Sequence, residues 1–123
     1  MKKILFILLS SAAFASANAT EVKVAAVTFV SHSNQQEVNI AVIAKDASTA
    51  AKNGAKLIVF PEEASNAMGS PDTIPGKLTA ALITVAQQYH VYIASGMQEK
   101  DQKTGKLYNA AVLVGPNGFI GKY

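Results

Sequence analysis

Cysteine, tryptophan and arginine are absent from the 123 residues, and aromatic side chains make up only 7% of them. Without cysteine, this sequence has no disulfide framework, no thiol nucleophile, no lipid-attachment site and no cysteine-based zinc site. Without arginine, all eleven basic residues are lysines, and the planar fork on which base-edge and phosphate recognition lean is missing. No five-residue window is dominated by lysine, so nucleic acid is not an expected partner. A Gly-x-Ser-x-Gly elbow and a Walker loop are also missing, which removes the enzyme classes built on them. His32 and His90 have no partner at metal-ligand spacing, and neither a metal nor another cofactor is implied. Four prolines and eight glycines in a chain that is 50% hydrophobic exclude collagen-like and disordered classes, because enough apolar surface is available to offset chain entropy.

The apolar residues are unevenly spread. Met1-Lys2-Lys3 is a basic start, Ile4 to Leu9 is an unbroken apolar run, and Ser10 to Ala19 is rich in small residues and closes on Ala17-Asn18-Ala19. This is the pattern of a secretory signal peptide with cleavage after Ala19. The uncharged stretch from Ile4 to Thr20 only reaches the lower limit for a membrane span, and its second half is Ala, Ser and Asn, so no stable anchor is expected after cleavage. The expected organisation is a leader at 1–19 and one domain at 20–123, periplasmic or secreted. Loss of Lys2 and Lys3 leaves nine lysines against eight acids, so the pI of about 9.2 overstates the basicity of the mature chain.

Beyond residue 20 the patterns alternate between strand and helix. Val22 to Phe29 is a β-branched run apolar on both sides, which predicts a strand buried on both faces. Asn34 with Glu37 predicts a capping box, and Ile40, Ile43, Ala44, Ala47, Ala50 and Ala51 form one apolar helix face. Gly54 suits a position just past that helix, Lys56 to Phe60 reads as a short buried strand, and the strand-helix-strand order favours parallel pairing. Pro75 near a first turn signals a second helix, with Leu78, Ala81, Leu82, Val85, Ala86 and Tyr89 as its packing face. Val91 to Gly96 reads as a third strand, followed by a polar turn at Asp101 to Gly105 and an antiparallel fourth at Ala110 to Val114. Gly115-Pro116-Asn117-Gly118 is a turn, and Phe119-Ile120 open another strand. The expected fold is α/β, a mixed sheet with two amphipathic helices.

One feature carries chemistry. In Phe60-Pro61-Glu62-Glu63 two carboxylates follow the C-terminal end of a buried strand, where open α/β sheets place ligand sites. Acids starting a following helix would serve its dipole equally well, so the residues alone leave both readings open.

A set of segments decides between them: Val22 to Phe29; Gly54-Ala55-Lys56-Leu57-Ile58-Val59-Phe60-Pro61-Glu62; Tyr92-Ile93-Ala94-Ser95-Gly96; Gly105 to Gly118 with its Tyr108-Asn109; and Ile120-Gly121-Lys122-Tyr123. In order and spacing the chain resembles the N-terminal part of a carbon-nitrogen hydrolase of the nitrilase superfamily. The resemblance implies half of a four-layer α-β-β-α sandwich and a Glu-Lys-Cys mechanism on the non-peptide C–N bond of a small amide or nitrile, without cofactor. It implies that Glu62 is the general base, that Glu63 is a helix-start acid, and that Asn109 supports the site or binds substrate. Lys122 falls before the family's Tyr and is not its catalytic lysine. That lysine and the cysteine would both follow Tyr123, so the expectation is a fragment, inactive alone, of an enzyme that is a homo-oligomer at full length. Two alternatives stand beside it: a non-catalytic binding or interaction module on the same half-fold, and a small periplasmic solute-binding domain.

Overall fold

The computed structural model describes residues 20–67 and 69–123, and the predicted leader at 1–19 lies outside them. Seven elements follow in order: β1 (Val24–Ala26), α1 (Gln36–Lys52), β2 (Leu57–Val59), α2 (Lys77–Tyr89), β3 (Tyr92–Lys100), β4 (Leu107–Gly115) and β5 (Gly118–Lys122). The five strands form one sheet in sequence order. β1, β2 and β3 pair in parallel, with Ala25 opposite Ile58 and Ile58 opposite Ile93. β3, β4 and β5 then pair antiparallel. The sheet is mixed, as its two long parallel crossovers and its two short turns require.

Both helices contribute to one core. Ile43 and Ala47 of α1 and Leu78, Leu82, Val85 and Ala86 of α2 pack with Ile58, Ile93, Met97, Val112 and Val114 of the sheet. The opposite face carries Val24, Val59, Tyr92 and Ile120, exposed by 53, 38, 45 and 54%. This corrects the expectation for the first two strands. Val24 and Val59 are apolar on a face that no element among the described residues covers, so β2 is buried on one side only, through Ile58, and β1 has only the half-buried Ala25 on that side.

The helix starts also differ from expectation. Asn34 does not cap α1, which begins after Gln35 without a side-chain cap. Asn34 instead sits at φ 57° and its Oδ1 accepts from Ser70 Oγ at 2.6 Å, so its side chain ties two loops together. Pro75 stands outside α2, whose N-cap is Gly76. Gly76 N–H donates to Thr79 Oγ1 at 2.6 Å, and the Asp72 carboxylate accepts from the Leu78 amide at 2.7 Å. A carboxylate six residues upstream thus satisfies a first-turn donor. Gly54 does follow α1, at φ +87°. In the β3–β4 turn Asp101 Oδ1 accepts from Thr104 Oγ1 and Thr104 N–H, both at 2.7 Å, and from Lys103 N–H at 3.1 Å. The Thr104 hydroxyl, with these amides, holds the Asp101 carboxyl below its ordinary value.

Candidate active site

β3 has nine residues and β2 only three, so half of β3 lacks a strand on its β2 side. The segment from Phe60 to Asp72 takes that place. Phe60 N–H donates to Ala94 O at 2.8 Å, Gly96 N–H to Pro61 O at 3.2 Å and Ser65 N–H to Gly96 O at 3.2 Å. Asn66, fully buried, continues the ladder with its side chain: Oδ1 accepts from Gln98 N–H at 2.7 Å, and Nδ2 donates to Gln98 O at 3.0 Å and to Ser70 O at 2.8 Å. Asp72 completes it through its own backbone, donating to Gln98 O at 3.1 Å and accepting from Lys100 N–H at 2.8 Å. Below the loop, the buried hydroxyls of Ser65 and Ser95 meet at 2.9 Å.

This ladder fixes Glu62. Pro61 has no N–H to donate, so regular pairing stops there, and the backbone turns at Glu63, whose φ is 52°. The turn is possible because position 96 is glycine. A Cβ there would lie 2.7 Å from Glu62 Cα, 2.7 Å from Glu63 N and 2.9 Å from Pro61 O. No helix follows, and the expectation that Glu63 starts one is corrected: Glu63 occupies a left-handed turn position between β2 and α2.

Glu62 and Asn109, the two residues singled out from the sequence, lie against each other, with Asn109 Nδ2 donating to Glu62 Oε1. Asn109 is opposite Gln98 in the β3–β4 register, on the sheet face away from the helices. Both side chains are exposed. They border a cleft of about 290 Å³ with Phe60, Pro61, Gly96 and Tyr123. Tyr123 reaches it because β5 continues to pair with β4, Ala111 and Tyr123 exchanging two backbone bonds at 2.9 Å. Lys122 projects away from this cleft and pairs with Glu99. His32 is held by its backbone, donating to Asn39 Oδ1 at 2.8 Å and accepting from Asn39 Nδ2 at 3.0 Å, and His90 ends α2 in the left-handed conformation.

Sequence reasoning missed Ser65, Asn66 and the closeness of Gly96 to the loop. The available signal was Asn66 and Ser65 in an otherwise apolar Ala64–Ala67 stretch, which fits an anchored loop as well as an exposed one. A carboxylate oriented by an amide donor at the mouth of a small cleft can accept a proton from a neighbouring nucleophile and return it to a leaving group.

The carbon-nitrogen hydrolase family model matches residues 23–123. A nitrilase of Pyrococcus abyssi is 43% identical over 84 residues, which is 60% of this chain and 31% of that protein. The human omega-amidase NIT2 is 35% identical over 82 residues, 60% of this chain and 29% of that protein. The chain thus spans about a third of the length of these relatives. Among solved structures, Saccharomyces cerevisiae Nit3 of the nitrilase superfamily superposes with a TM-score of 0.72 at 24% identity, covering 83% of this chain and 43% of that one. An amidase from Nesterenkonia sp. gives 0.68 at 16% identity, over 83% and 41%. These two likenesses concern the fold.

Proposed function

The chain belongs to the carbon-nitrogen hydrolase family, and from that premise we propose that it supplies the general-base segment of an enzyme hydrolysing the C–N bond of small amides or nitriles. The observation that carries this reading is the Glu62 carboxylate held by Asn109 at the end of β2, open to a cleft. In the reaction a thiol attacks the substrate carbon. With an amide, Glu62 takes the S–H proton as the C–S bond forms and passes it to the departing nitrogen, leaving a thioester; with a nitrile the proton goes to the nitrogen of a thioimidate, and ammonia departs only after water has added. Glu62 then takes a proton from the water that cleaves the thioester and returns it to the departing sulfur, which regenerates the thiol. The 123 residues contain no cysteine, so the reading requires the nucleophile, and the lysine that stabilises the oxyanion, from sequence beyond them. On this reading the chain by itself is inactive. Asn109 orients the carboxylate, fixing which oxygen faces the nucleophile. The leader pattern at 1–19 supports a periplasmic or secreted enzyme, and a homo-oligomer is the assembly proposed for the full-length form.

The test is made in an enzyme that carries the complete catalytic set. Glu62→Gln should lower kcat by ~10²–10⁴-fold, the usual worth of a positioned general base, while Glu63→Gln should leave it nearly unchanged. Equal effects of the two substitutions would remove Glu62 from this role.

A further inference from the structure

Glu99 is the one buried carboxylate among the described residues, 5% exposed, and it takes no part in the Glu62 cleft. Its Oε1 accepts from the Lys122 ammonium, the one ion pair among the described residues. The path between them is diagonal. Lys122 is opposite Val112 on β4, Val112 is opposite Ser95 on β3, and Glu99 lies four residues further along β3. The lysine therefore crosses β4 on the helix-bearing face, passing the small residue Ala110, which lines a second cleft together with Glu99 and Lys122.

The two-residue turn at Pro116-Asn117, with Gly115 opposite Gly118, sets the start of β5, but past Phe119 little else fixes its register. It consists of Gly118, Phe119, Ile120, Gly121 and Lys122. Phe119 and Ile120 are 39 and 54% exposed, so no buried apolar side chain fixes which face of the strand points inward. Its ladder is also irregular: Leu113 is opposite Gly121 but Val114 is opposite Phe119, which leaves Ile120 without a partner. Beyond this irregularity the strand can slip, and a shift by one residue turns the side chains of Gly121 to Tyr123 to the other face.

We propose that Glu99 and Lys122 form a register lock for β5, a positioning pair that delivers Tyr123 and the chain after it to the mouth of the Glu62 cleft. The lock follows from the register and the burial of Glu99; that it serves catalysis rests on the function proposed above. A slip by one residue would bring Lys122 to the Glu62 side, take Tyr123 away from Ala111, and leave Glu99 buried without a counter-charge.

The experiment is amide hydrogen exchange on the whole chain, with β3–β4 amides as an internal measure of folding. Lys122→Met keeps the reach and removes the charge. It should speed exchange at the Ala111 amide by about tenfold or more while β3–β4 amides stay protected, the signature of local opening. Lys122→Arg should restore wild-type exchange. Unchanged exchange in Lys122→Met, or an arginine variant as fast as the methionine one, overturns the lock. Should Lys122→Met lose protection throughout, the Glu99→Gln/Lys122→Met double variant, free of any buried charge, decides: opening confined to β5 supports the lock and full protection overturns it. In an active enzyme with the complete catalytic set, Lys122→Met should lower kcat with KM little changed. Failure of the parent enzyme to hydrolyse any amide or nitrile removes the catalytic reading and leaves the exchange result standing.

Discussion

Gly96→Ala is the sharpest test of how the Glu62 loop is held. Position 96 lies within β3 and its φ is not in the left-handed region, so alanine is conformationally acceptable and only contacts matter. The added methyl would sit 2.7 Å from Glu62 Cα and from Glu63 N and 2.9 Å from Pro61 O, all of them backbone atoms. No rotamer change can relieve that, and the loop must retreat by roughly 0.7 Å or more to restore ordinary carbon contact near 3.4 Å. The two hydrogen bonds that tie Gly96 to Pro61 and Ser65 are already 3.2 Å long and would be lost, at about 0.5–1.5 kcal/mol each. Overpacking strain adds about 1–3 kcal/mol, so a loss of about 2–6 kcal/mol is expected where loop and sheet unfold together. Displacement of Glu62 from Asn109 should accompany it, with a fall in kcat in an active enzyme. Gly121→Ala is the control: nothing lies within 4 Å of its added methyl, and its effect should stay within ~0.5 kcal/mol, the ordinary range for surface changes. The measurement is denaturant unfolding of both variants beside the parent. A Gly96→Ala protein as stable as Gly121→Ala, with the Glu62–Asn109 bond intact by crystallography, would refute the close-approach reasoning.

Asn66→Ala should destabilise by about 1–3 kcal/mol in the same assay, because it leaves the Gln98 amide without a partner, while the Gln98 carbonyl keeps only the Asp72 amide; a change below ~0.5 kcal/mol would show that water replaces the side chain. The Asp101 carboxyl is held below its ordinary 3.8 by Thr104, so its contribution to the β3–β4 turn is complete above that value and is lost as pH falls through the lowered folded-state value. Protection of the Thr104 amide should fall in that acid window, and Thr104→Val should weaken the pH dependence by removing the hydroxyl donor while the two amides remain. N-terminal sequencing of exported protein should begin at Thr20; a chain that retains Met1 and sediments with membranes would contradict the leader reading.

Element types were legible because their periods differ. The i, i+3, i+4 spacing from Ile40 to Ala51 and from Leu78 to Tyr89 falls within the observed helices, and Ala110 to Val114 lies inside β4. The failures share one cause, that local patterns do not reveal tertiary partners. Asn34 has the chemistry of a cap, yet Ser70, 36 residues away, takes its side chain. Val24 and Val59 are as apolar as core residues, and nothing local distinguishes a face packed by helices from one left open. Of the site, Glu62 stood out by its place after a buried strand and then by resemblance, and Asn109 by resemblance alone, while Asn66 and Ser65 did not, since burial of a short polar side chain depends on the strand it meets.

The loop that carries Glu62 also seals the outer half of a long strand. With β2 ending at Val59, the backbone groups of Gly96, Gln98 and Lys100 would otherwise form an open template for a strand of another molecule. Pro61, Ser65, Asn66 and Asp72 occupy them instead. Substitutions in this loop therefore have two separable ways to fail. One disturbs the carboxylate, and the other uncovers a sticky edge and removes the protein from solution. A mutational scan scored by activity in cells would merge them, so soluble yield has to be counted beside turnover before a position between 61 and 72 is assigned to the chemistry.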